Sequence, residues 1–356
     1  MKKVAILNDT MEWYHWGCTA TSTALRAQLE ESGYQVVPIP IMMTYAFKGT
    51  PQSLTDFVDP NFFRDRVKAN QLLFEFIKGV DLVVVNGEGT LHSIRPASLN
   101  LLYLSFVCKK FLNKPVSIIN HSMYPSTLEE NVQANDTYKF VYKEMDYVAI
   151  REHISFAVAD RLGIEASLSF DCLPLTAREF NFPDPKDEGP VVITDSVIVS
   201  KDDMRVIERI VKGVVKKGRA VTILYGAKSN PGQDMINFVA HLQAKFKHNV
   251  NFVNARSLEQ WFSVIANASV LVSGRFHYTI AAAFLGTPFV LLDTNTLKNK
   301  ALAEEFGSDS PLSYSTPKVA DLVLERLEGV SDLPLLDVSK KETIYSRAMK
   351  NFQLPS

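Results

Sequence analysis

The sequence predicts an α/β protein made of two Rossmann-like domains in series. Short β-rich runs alternate with longer amphipathic stretches, a pattern typical of parallel sheets covered by helices. At 356 residues the chain is longer than one hydrophobic core usually serves. A stretch rich in proline, glycine and charge, residues 180–190, separates two such alternating regions and indicates an interdomain linker.

The first domain is expected to span residues 1–179. Its β-rich runs predict strands at residues 4–7, 35–41, 81–85, 116–119 and 147–150. The first helix is expected at residues 20–31, because Ser32-Gly33 follows as a glycine stop. Together these elements form a βαβ opening.

The second domain is expected to span residues 191–335. Strands are predicted at 191–194, 220–224, 250–253, 270–272 and 289–292, and helices at 203–217, 233–246, 257–266 and 278–285. The final residues, 336–356, carry a helical pattern at 340–352, and its packing back onto the first domain is an open alternative. Two doubly wound sheets in series predict a glycosyltransferase-B-like arrangement with an interdomain cleft at the carboxyl ends of both sets of strands.

Composition excludes several classes of protein. Lys and Arg (38) nearly balance Asp and Glu (39), so no global basic field points to nucleic acid. The three cysteines are too few and too scattered for a disulfide framework or a zinc site, and they suit a reducing compartment. No apolar run approaches the roughly 20 residues of a membrane helix. We expect a cytoplasmic protein, with peripheral contact at the inner face of the cytoplasmic membrane left open and the oligomeric state unassigned.

A glycine-containing segment, Asn86-Gly87-Glu88-Gly89, directly follows the third predicted strand. Glycines at the carboxyl end of a parallel strand let backbone N–H groups approach a ligand and cradle an anion. The alternative is a tight turn without a ligand. Because a glutamate is unusual in a pure phosphate cradle, Glu88 is also a candidate for binding a sugar hydroxyl.

A second candidate is Arg151, where the fifth predicted strand ends and a helix begins. An arginine beside a helix amino terminus is well placed to bind a carboxylate or phosphate. Ser155 lies in the first turn of that helix and is a further candidate for substrate binding. The alternative interpretation is a surface arginine paired with Glu152 or Asp146.

The most informative segment is Ser273-Gly274-Arg275 followed by His277, where a buried strand runs into a helix of small residues. An arginine at such a turn can hold an anion bidentately, and a histidine two residues later can act as general acid or base near neutral pH. The alternative is a histidine that only caps the helix. We favour a binding and catalytic role for the segment.

Two further loops are candidates for binding the acceptor. Asp9 and Trp16, together with Glu12 and His15, are predicted to lie in a polar and aromatic loop after the first strand, a composition suited to stacking on a sugar. His121 is expected in the loop after the fourth strand. Both loops could instead only cover the end of the sheet.

The order and spacing of these segments resemble those of the polysaccharide pyruvyl transferase family. The resemblance runs from Val4 to about Leu292, and the chain departs from the family with Asn-Gly-Glu-Gly for a run of glycines and Asp-Cys for Asp-Pro. The motifs that carry it are Asn8-Asp9-Thr10, Trp16-Gly17-Cys18, the loop Asn86–Thr90, Arg151 to Ser155, Leu162-Gly163-Ile164, Asp171, Arg275-x-His277 and Gly286-x-Pro288.

The resemblance implies transfer of a pyruvyl group from phosphoenolpyruvate to sugar hydroxyls of a cell-surface polysaccharide or its lipid-linked precursor. Arg151 and Arg275 would neutralise the donor from facing domains, and His277 would be the catalytic acid. We expect neither a cofactor nor a metal, because arginines can neutralise the donor and Asp and His do not cluster at ligand spacing.

Two other functions stay open from the sequence alone. A glycosyltransferase that uses a nucleotide-activated acidic sugar, for example one linked to cytidine monophosphate, would need the same fold and the same arginines. A noncatalytic carbohydrate-binding assembly protein is a different class, and the pairing of Arg275 with His277 speaks against it because a binding module needs no titratable group beside its anion clamp.

Overall fold

The computed structural model describes residues 1–126, 131–182, 188–194, 200–294 and 296–355. The chain forms two compact units. Unit 1 comprises residues 1–13, 21–172 and 343–356, and unit 2 comprises residues 14–20 and 173–342. The expected linker falls partly on residues 183–187, which lie outside the described residues.

Unit 1 is built on a six-stranded parallel sheet in the order β2-β1-β3-β4-β5-β6. The order reverses between β1 and β3, and in such sheets ligands bind beside the carboxyl ends of the strands at this switch point. The strands are β1 (Lys3–Asp9), β2 (Gln35–Pro40), β3 (Leu82–Glu88), β4 (Val116–His121), β5 (Tyr147–Ile150) and β6 (Ser167–Leu168).

Helices follow most strands of unit 1, as the alternating pattern predicts. The segment between β2 and β3 contains four helices, and the apolar side of the last helix is buried at Leu73, Phe74 and Ile77. The helices up to β7 are α1 (Trp16–Glu31), α2 (Ile41–Tyr45), α3 (Leu54–Val58), α4 (Pro60–Ala69), α5 (Gln71–Lys78), α6 (Pro96–Lys110), α7 (Val132–Tyr142), α8 (His153–Arg161) and α9 (Leu173–Ala177).

Unit 2 is built on a five-stranded parallel sheet in the order β11-β10-β7-β8-β9, which reverses between β10 and β7. Its strands are β7 (Val191–Ile193), β8 (Val221–Tyr225), β9 (Val250–Asn254), β10 (Val270–Ser273) and β11 (Phe289–Leu291). Its helices are α10 (Lys201–Lys216), α11 (Gln233–Phe246), α12 (Leu258–Ala266), α13 (Phe276–Leu285), α14 (Lys298–Phe306) and α15 (Val319–Glu328), and α16 (Val338–Met349) follows them.

Each unit has its own hydrophobic core. In unit 1 the valines of β3 are fully buried and pack with the apolar side chains of α6, which explains why this strand reads as one uninterrupted apolar run. In unit 2 the corresponding cluster joins β7, β8 and β10 to α10 and α15. The expected α/β class with two Rossmann-like units is confirmed.

The structure divides the chain at residues 172 and 173 rather than at 179 and 180. All five residues of α9 are buried, and this helix packs against α13 within unit 2. Residues 14–20 also belong to unit 2, although the sequence placed them in the first domain. The last residues, 343–356, belong to unit 1.

Several elements extend further than the sequence predicts. The strands β1, β3 and β4 continue to Asp9, Glu88 and His121, so these three residues end strands and do not lie in loops after them. The first helix begins at Trp16, four residues before the expected start. At the three strand ends, polar side chains broke the apolar pattern while the backbone pairing continued. Within the described ranges, no helix combines the length and apolarity that spanning a membrane requires.

Candidate functional site

The switch point of unit 1 is marked by strained backbone. Asn8, Glu88 and Asn120 lie at the carboxyl ends of β1, β3 and β4 and have φ angles of 66°, 29° and 53°. Left-handed conformations cost non-glycine residues about 1–3 kcal/mol each and persist where surrounding contacts determine them. All three side chains are buried. The three adjacent strands β1, β3 and β4 therefore end in backbone that the surrounding residues hold in place.

A buried hydrogen-bond network connects these strand ends. The Asn8 amide Nδ2 donates to the Asn86 carbonyl oxygen at 2.7 Å and to Thr90 Oγ1 at 3.1 Å. Asn86 Nδ2 donates to Thr10 Oγ1 at 3.2 Å, and Thr10 Oγ1 donates to Glu88 Oε2 at 2.5 Å. This network fixes the orientation of the Glu88 carboxylate. From the sequence we predicted that Glu88 binds a sugar hydroxyl.

The two glycines beside Glu88 differ in their surroundings. A Cβ atom at Gly87 would lie 2.6 Å from the Cβ of His121, so this glycine is required by close packing between β3 and β4. Gly89 is exposed, and a Cβ atom there would meet no atom within 4 Å. Of the two, only Gly89 leaves open space for an approaching ligand.

Asp9 and His121, both proposed as acceptor-binding residues, are engaged within unit 1. The Asp9 carboxylate pairs with the Arg26 guanidinium at 2.7 Å, and its side chain is 1% exposed. His121 is fully buried with Nε2 2.8 Å from the hydroxyl oxygen of Tyr142. Burial and the charge of Arg151 lower the pKa of His121 to about 3, so the imidazole is neutral at physiological pH.

Arg151 follows β5 and is paired with Asp171, a partner that was not expected from the sequence. Its Nη1 donates to Asp171 Oδ2 at 2.7 Å, and the two side chains are 2% and 0% exposed. Its Nε donates to Ser122 Oγ at 3.1 Å. The alternative pairing with Glu152 or Asp146 on the surface is therefore wrong.

Glu152 instead caps the helix that follows β5. Its carboxylate accepts hydrogen bonds from the Ser155 N–H at 3.0 Å and from the Tyr124 hydroxyl at 3.0 Å. Ser155, a proposed substrate-binding residue, is fully buried, and its hydroxyl oxygen accepts from the Met123 N–H at 2.8 Å. Both residues contribute to the local structure around Arg151.

The switch point of unit 2 lies where β10 ends and α13 begins. The Thr194 hydroxyl, directly after β7, donates to Ser273 Oγ at 2.8 Å, and Ser273 Oγ accepts from the Arg275 N–H at 3.0 Å. The Gly274 carbonyl oxygen accepts from the Asn299 amide at 3.1 Å. The predicted segment thus forms a braced turn that places Arg275 at the amino terminus of α13, where the helix dipole favours anions.

His277 lies in the first turn of α13 and packs against the start of α1 within unit 2. It is 7% exposed. A Cβ atom at Gly17 would lie 2.4 Å from the His277 Cβ, so only glycine allows this approach. The imidazole rings of His15 and His277 have centroids 5.4 Å apart.

Several positively charged side chains of unit 2 act on the imidazole of His15. Burial lowers its pKa well below 6.5, and the charges of His277, Arg275, Lys298 and Lys228 lower it further. Lys228 and Lys298 were not among the site residues expected from the sequence. Lys228 lies just after the carboxyl end of β8, the strand beside β7, and this position at a strand end is the signal that could have identified it.

Trp16 is positioned by unit 2 rather than by the first sheet. Its Nε1 donates to the Ala255 carbonyl oxygen at 2.9 Å, and its backbone N–H donates to the Gly226 carbonyl oxygen at 3.1 Å. The Lys228 ammonium lies 5.2 Å from the centre of the indole ring. The ring is partly exposed, as a stacking surface for a sugar requires.

The structure thus gathers the predicted residues in two groups. The group in unit 1 contains Asp9, Asn86, Gly87, Glu88, Gly89, His121, Arg151 and Ser155. The group in unit 2 contains Trp16, Ser273, Gly274, Arg275 and His277. Their substrate-binding and catalytic roles, and the expectation that Arg151 and Arg275 face one cleft, stay predictions.

Several solved structures of UDP-GlcNAc 2-epimerases resemble this chain in fold. The UDP-GlcNAc 2-epimerase from Neisseria meningitidis, bound to UDP-GlcNAc, matches with a TM-score of 0.59 and 13% identity over 98% of this chain and 100% of its own. The enzyme from Rickettsia bellii gives a TM-score of 0.61 at 11% identity, over 99% of this chain and 95% of its own. The enzyme from Methanocaldococcus jannaschii gives a TM-score of 0.58 at 12% identity, over 97% of this chain and 99% of its own. At these identities the likeness establishes the glycosyltransferase-B-like fold alone.

The sequence itself identifies the family. No curated protein matches this sequence. The family model described as polysaccharide pyruvyl transferase matches residues 17–296, which include Arg151, Arg275 and His277 and cover most of the chain. The chain therefore belongs to the polysaccharide pyruvyl transferase family and is a transferase enzyme.

Proposed function

We propose that the donor of this transferase is phosphoenolpyruvate and that the product is a pyruvyl ketal on a saccharide. In this reaction the methylene carbon of the donor gains a proton and becomes a methyl group. One sugar hydroxyl adds to the adjacent carbon, and a second displaces the phosphate. The two hydroxyl protons balance the new methyl hydrogen and the proton carried away by inorganic phosphate.

The observation that carries this proposal is the cluster of positive charge around His15 in unit 2. Arg275 lies at the amino terminus of α13, and the Lys298 ammonium lies 5.9 Å from the ring centre of the next residue, Phe276. The Lys228 ammonium lies 5.2 Å from the ring centre of Trp16, which follows His15. All three cations act on His15 electrostatically. Phosphoenolpyruvate carries both a carboxylate and a phosphate, so it needs several cations in a small volume. Arg275 can form a bidentate contact with either group, while the lysines act as point charges.

His277 is the proposed proton donor to the methylene carbon. It follows Arg275 by two residues and lies in the same first helical turn, so a donor bound at Arg275 would lie within its reach. His15 is neutral because of its lowered pKa and cannot add a further charge. We therefore assign the acid to His277 and a packing role to His15.

Unit 1 is proposed to bind the acceptor and to contribute Arg151. Asp171 compensates the charge of Arg151, so this pair adds less to donor neutralisation than the unit 2 cluster does. Glu88, held by Thr10, is the proposed acceptor of a sugar hydroxyl proton in a hydrogen bond. Trp16 is the proposed stacking surface.

We propose a saccharide acceptor of the cell envelope, either a polysaccharide or its lipid-linked precursor. Cations of the protein neutralise the donor, and the proposal invokes no cofactor. The scattered cysteines Cys18, Cys108 and Cys172 support a reducing, cytoplasmic working compartment, with acceptor presented at the inner face of the membrane.

Thermal unfolding with and without donor tests the proposal. A ligand that binds only the native state raises the midpoint according to its concentration and dissociation constant. We expect millimolar phosphoenolpyruvate to raise the midpoint of the wild-type protein, and Lys298→Ala to reduce that shift. The matched control is Lys300→Ala, an exposed lysine on the same helix.

The same assay separates the donors. Cytidine monophosphate replaces phosphoenolpyruvate in a parallel series. A shift with the nucleotide and none with phosphoenolpyruvate would overturn the proposed donor and favour the nucleotide-sugar alternative.

A further inference from the structure

The C-terminal residues contribute a side chain to the strained edge of unit 1. Asn351 lies in a short 3-10 helix, Lys350–Phe352, that follows α16, and its side chain is fully buried. The family model ends at residue 296, so Asn351 lies outside the part of the chain that establishes the family. Nothing in the sequence pattern had singled it out.

Asn351 uses both ends of its amide. Its Oδ1 accepts from the Asn120 N–H at 2.8 Å and from the Ser169 hydroxyl at 3.3 Å. Its Nδ2 donates to the carbonyl oxygens of Phe170 and Ala348 at 2.8 and 2.9 Å. Of the amide-sized side chains, only asparagine supplies both the acceptor and the donors at this place, since aspartate lacks the donors and leucine lacks both.

These bonds reach the candidate site through Asn120. The Asn120 backbone is left-handed, with φ at 53°, and Asn351 binds its N–H directly. The Asn120 side chain donates to Asn86 Oδ1 at 3.1 Å and accepts from the Cys172 N–H at 3.0 Å. Asn351 and Asn120 thereby fix the backbone on both sides of Asp171.

Asp171 in turn holds Arg151. The segment from Ser169 to Cys172 is bound at Ser169, Phe170 and Cys172 by the two asparagines, and Asp171 within it accepts from the Arg151 guanidinium at 2.7 Å. A second C-terminal contact supports the same segment, because Arg347 donates to the Ser169 carbonyl oxygen at 3.0 Å.

We infer that Asn351 is a positioning residue for the transfer reaction, acting through Asn120 and Asp171 on the guanidinium of Arg151. The inference rests on the proposed function, in which Arg151 contacts the donor. It assigns to the C-terminal segment a part in the site that the matched region of the chain does not supply.

Two substitutions of Asn351 and one control test the inference. Asn351→Leu keeps the approximate size and removes all four hydrogen bonds, whereas Asn351→Asp keeps the acceptor for the Asn120 N–H and loses the donors. Lys350→Ala is the control, because Lys350 is exposed in the same turn. Steady-state kinetics and amide hydrogen exchange are measured for the full chain.

We expect the KM for phosphoenolpyruvate to rise at least about tenfold in Asn351→Leu, with a smaller change in kcat, because a misplaced Arg151 binds the donor less well. Asn351→Asp should give an intermediate KM. Exchange should accelerate at the amides of Asn120 and Cys172 in Asn351→Leu. Lys350→Ala should match the wild-type protein in every measurement.

A purely structural role would lower the thermal midpoint of Asn351→Leu and leave KM and kcat of the folded enzyme unchanged, and that result overturns the inference while the proposed function stands. If the wild-type protein does not turn over phosphoenolpyruvate, the proposed function fails. The amide exchange rates then test whether Asn351 fixes the backbone at Asn120 and Cys172. Unchanged rates at these two amides in Asn351→Leu would overturn that part of the inference as well.

Discussion

Arg151 donates to the carboxylate of Asp171 at 2.7 Å, and neither side chain is more than 2% exposed. The two residues are 20 positions apart in sequence and come together at the carboxyl edge of the unit 1 sheet. Removing two charges from water is costly, and their attraction and hydrogen bonds offset that cost only while both are present. The pair therefore makes Arg151 a cation held in a fixed position.

Asp171→Asn should lower the free energy of unfolding by about 3–5 kcal/mol, because it leaves a buried guanidinium without a compensating charge. Urea denaturation of the purified protein measures this. Glu144→Gln is the control, because it breaks a surface ion pair with Lys110. The Glu144 side chain is 36% exposed and that of Lys110 is 45% exposed. Such exposed pairs contribute about 0–1 kcal/mol. Equal effects of the two substitutions would contradict this account of Arg151.

The glycines that flank Glu88 should respond differently to the same substitution. Gly87→Ala would place a Cβ 2.6 Å from the His121 Cβ and 2.8 Å from Leu91 Cδ1, and such overpacking costs about 1–3 kcal/mol. Gly89→Ala meets no atom within 4 Å and should change stability by less than about 0.5 kcal/mol. Urea denaturation of both variants compares them directly, and a Gly87→Ala protein as stable as Gly89→Ala would contradict the packing.

Strands and helices could be predicted from the sequence because apolar periodicity is a local property. The valines of β3 and the small residues of α13 indicated buried elements at the correct places. The partner of Arg151 could not be predicted in this way, because Asp171 is brought to it by tertiary pairing of β5 with β6. Lys298 was missed for the same reason, because the fold brings it towards His15, whereas Lys228 could have been identified from its position just after β8.

The ends of the elements were also hard to predict. Asn8, Glu88 and Asn120 are polar residues in left-handed backbone, and they read as the beginning of loops although strand pairing continues around them. The hydrogen bonds that hold these conformations come from residues as far away as Asn351. No local pattern encodes such a contact.

Stability should fall in mild acid because His121 is buried in its neutral form. Its pKa is about 3 in the folded protein and near 6.5 in the unfolded chain, so the unfolded chain binds more protons between these values. The contribution of His121 to the free energy of unfolding therefore has its full value above pH 6.5. It decreases as the pH falls towards 3, by up to about 1.4 kcal/mol per pH unit. His15, with its pKa lowered as well, contributes in the same direction.

The measurement is the free energy of unfolding of the wild-type protein and of His121→Gln at a series of pH values from 7 to 4. The glutamine variant should show a shallower dependence, since it has no imidazole to protonate. The control His248→Gln removes an exposed histidine and should keep the wild-type slope. Identical slopes for the wild-type protein and His121→Gln would show that His121 is not the residue responsible.

The last prediction concerns Gly17, which permits the close approach of α1 to His277. Alanine favours a helix over glycine by about 1 kcal/mol, so helix propensity alone would make Gly17→Ala stabilising. A Cβ at this position would lie 2.4 Å from the His277 Cβ and 2.8 Å from its Nδ1, so the imidazole must move. A displacement of about 1 Å in a catalytic group can cost about 10²-fold in rate.

We therefore expect Gly17→Ala to lower kcat by about tenfold or more, and His277→Gln by about 10²-fold or more, the usual range for loss of a general acid. Gly232→Ala is the matched control, because a Cβ there meets no atom within 4 Å, and its kcat should equal that of the wild-type enzyme. Wild-type turnover by folded His277→Gln would remove the proton donor from the proposed mechanism, whereas wild-type turnover by Gly17→Ala alone would show that the imidazole can shift without loss of its function.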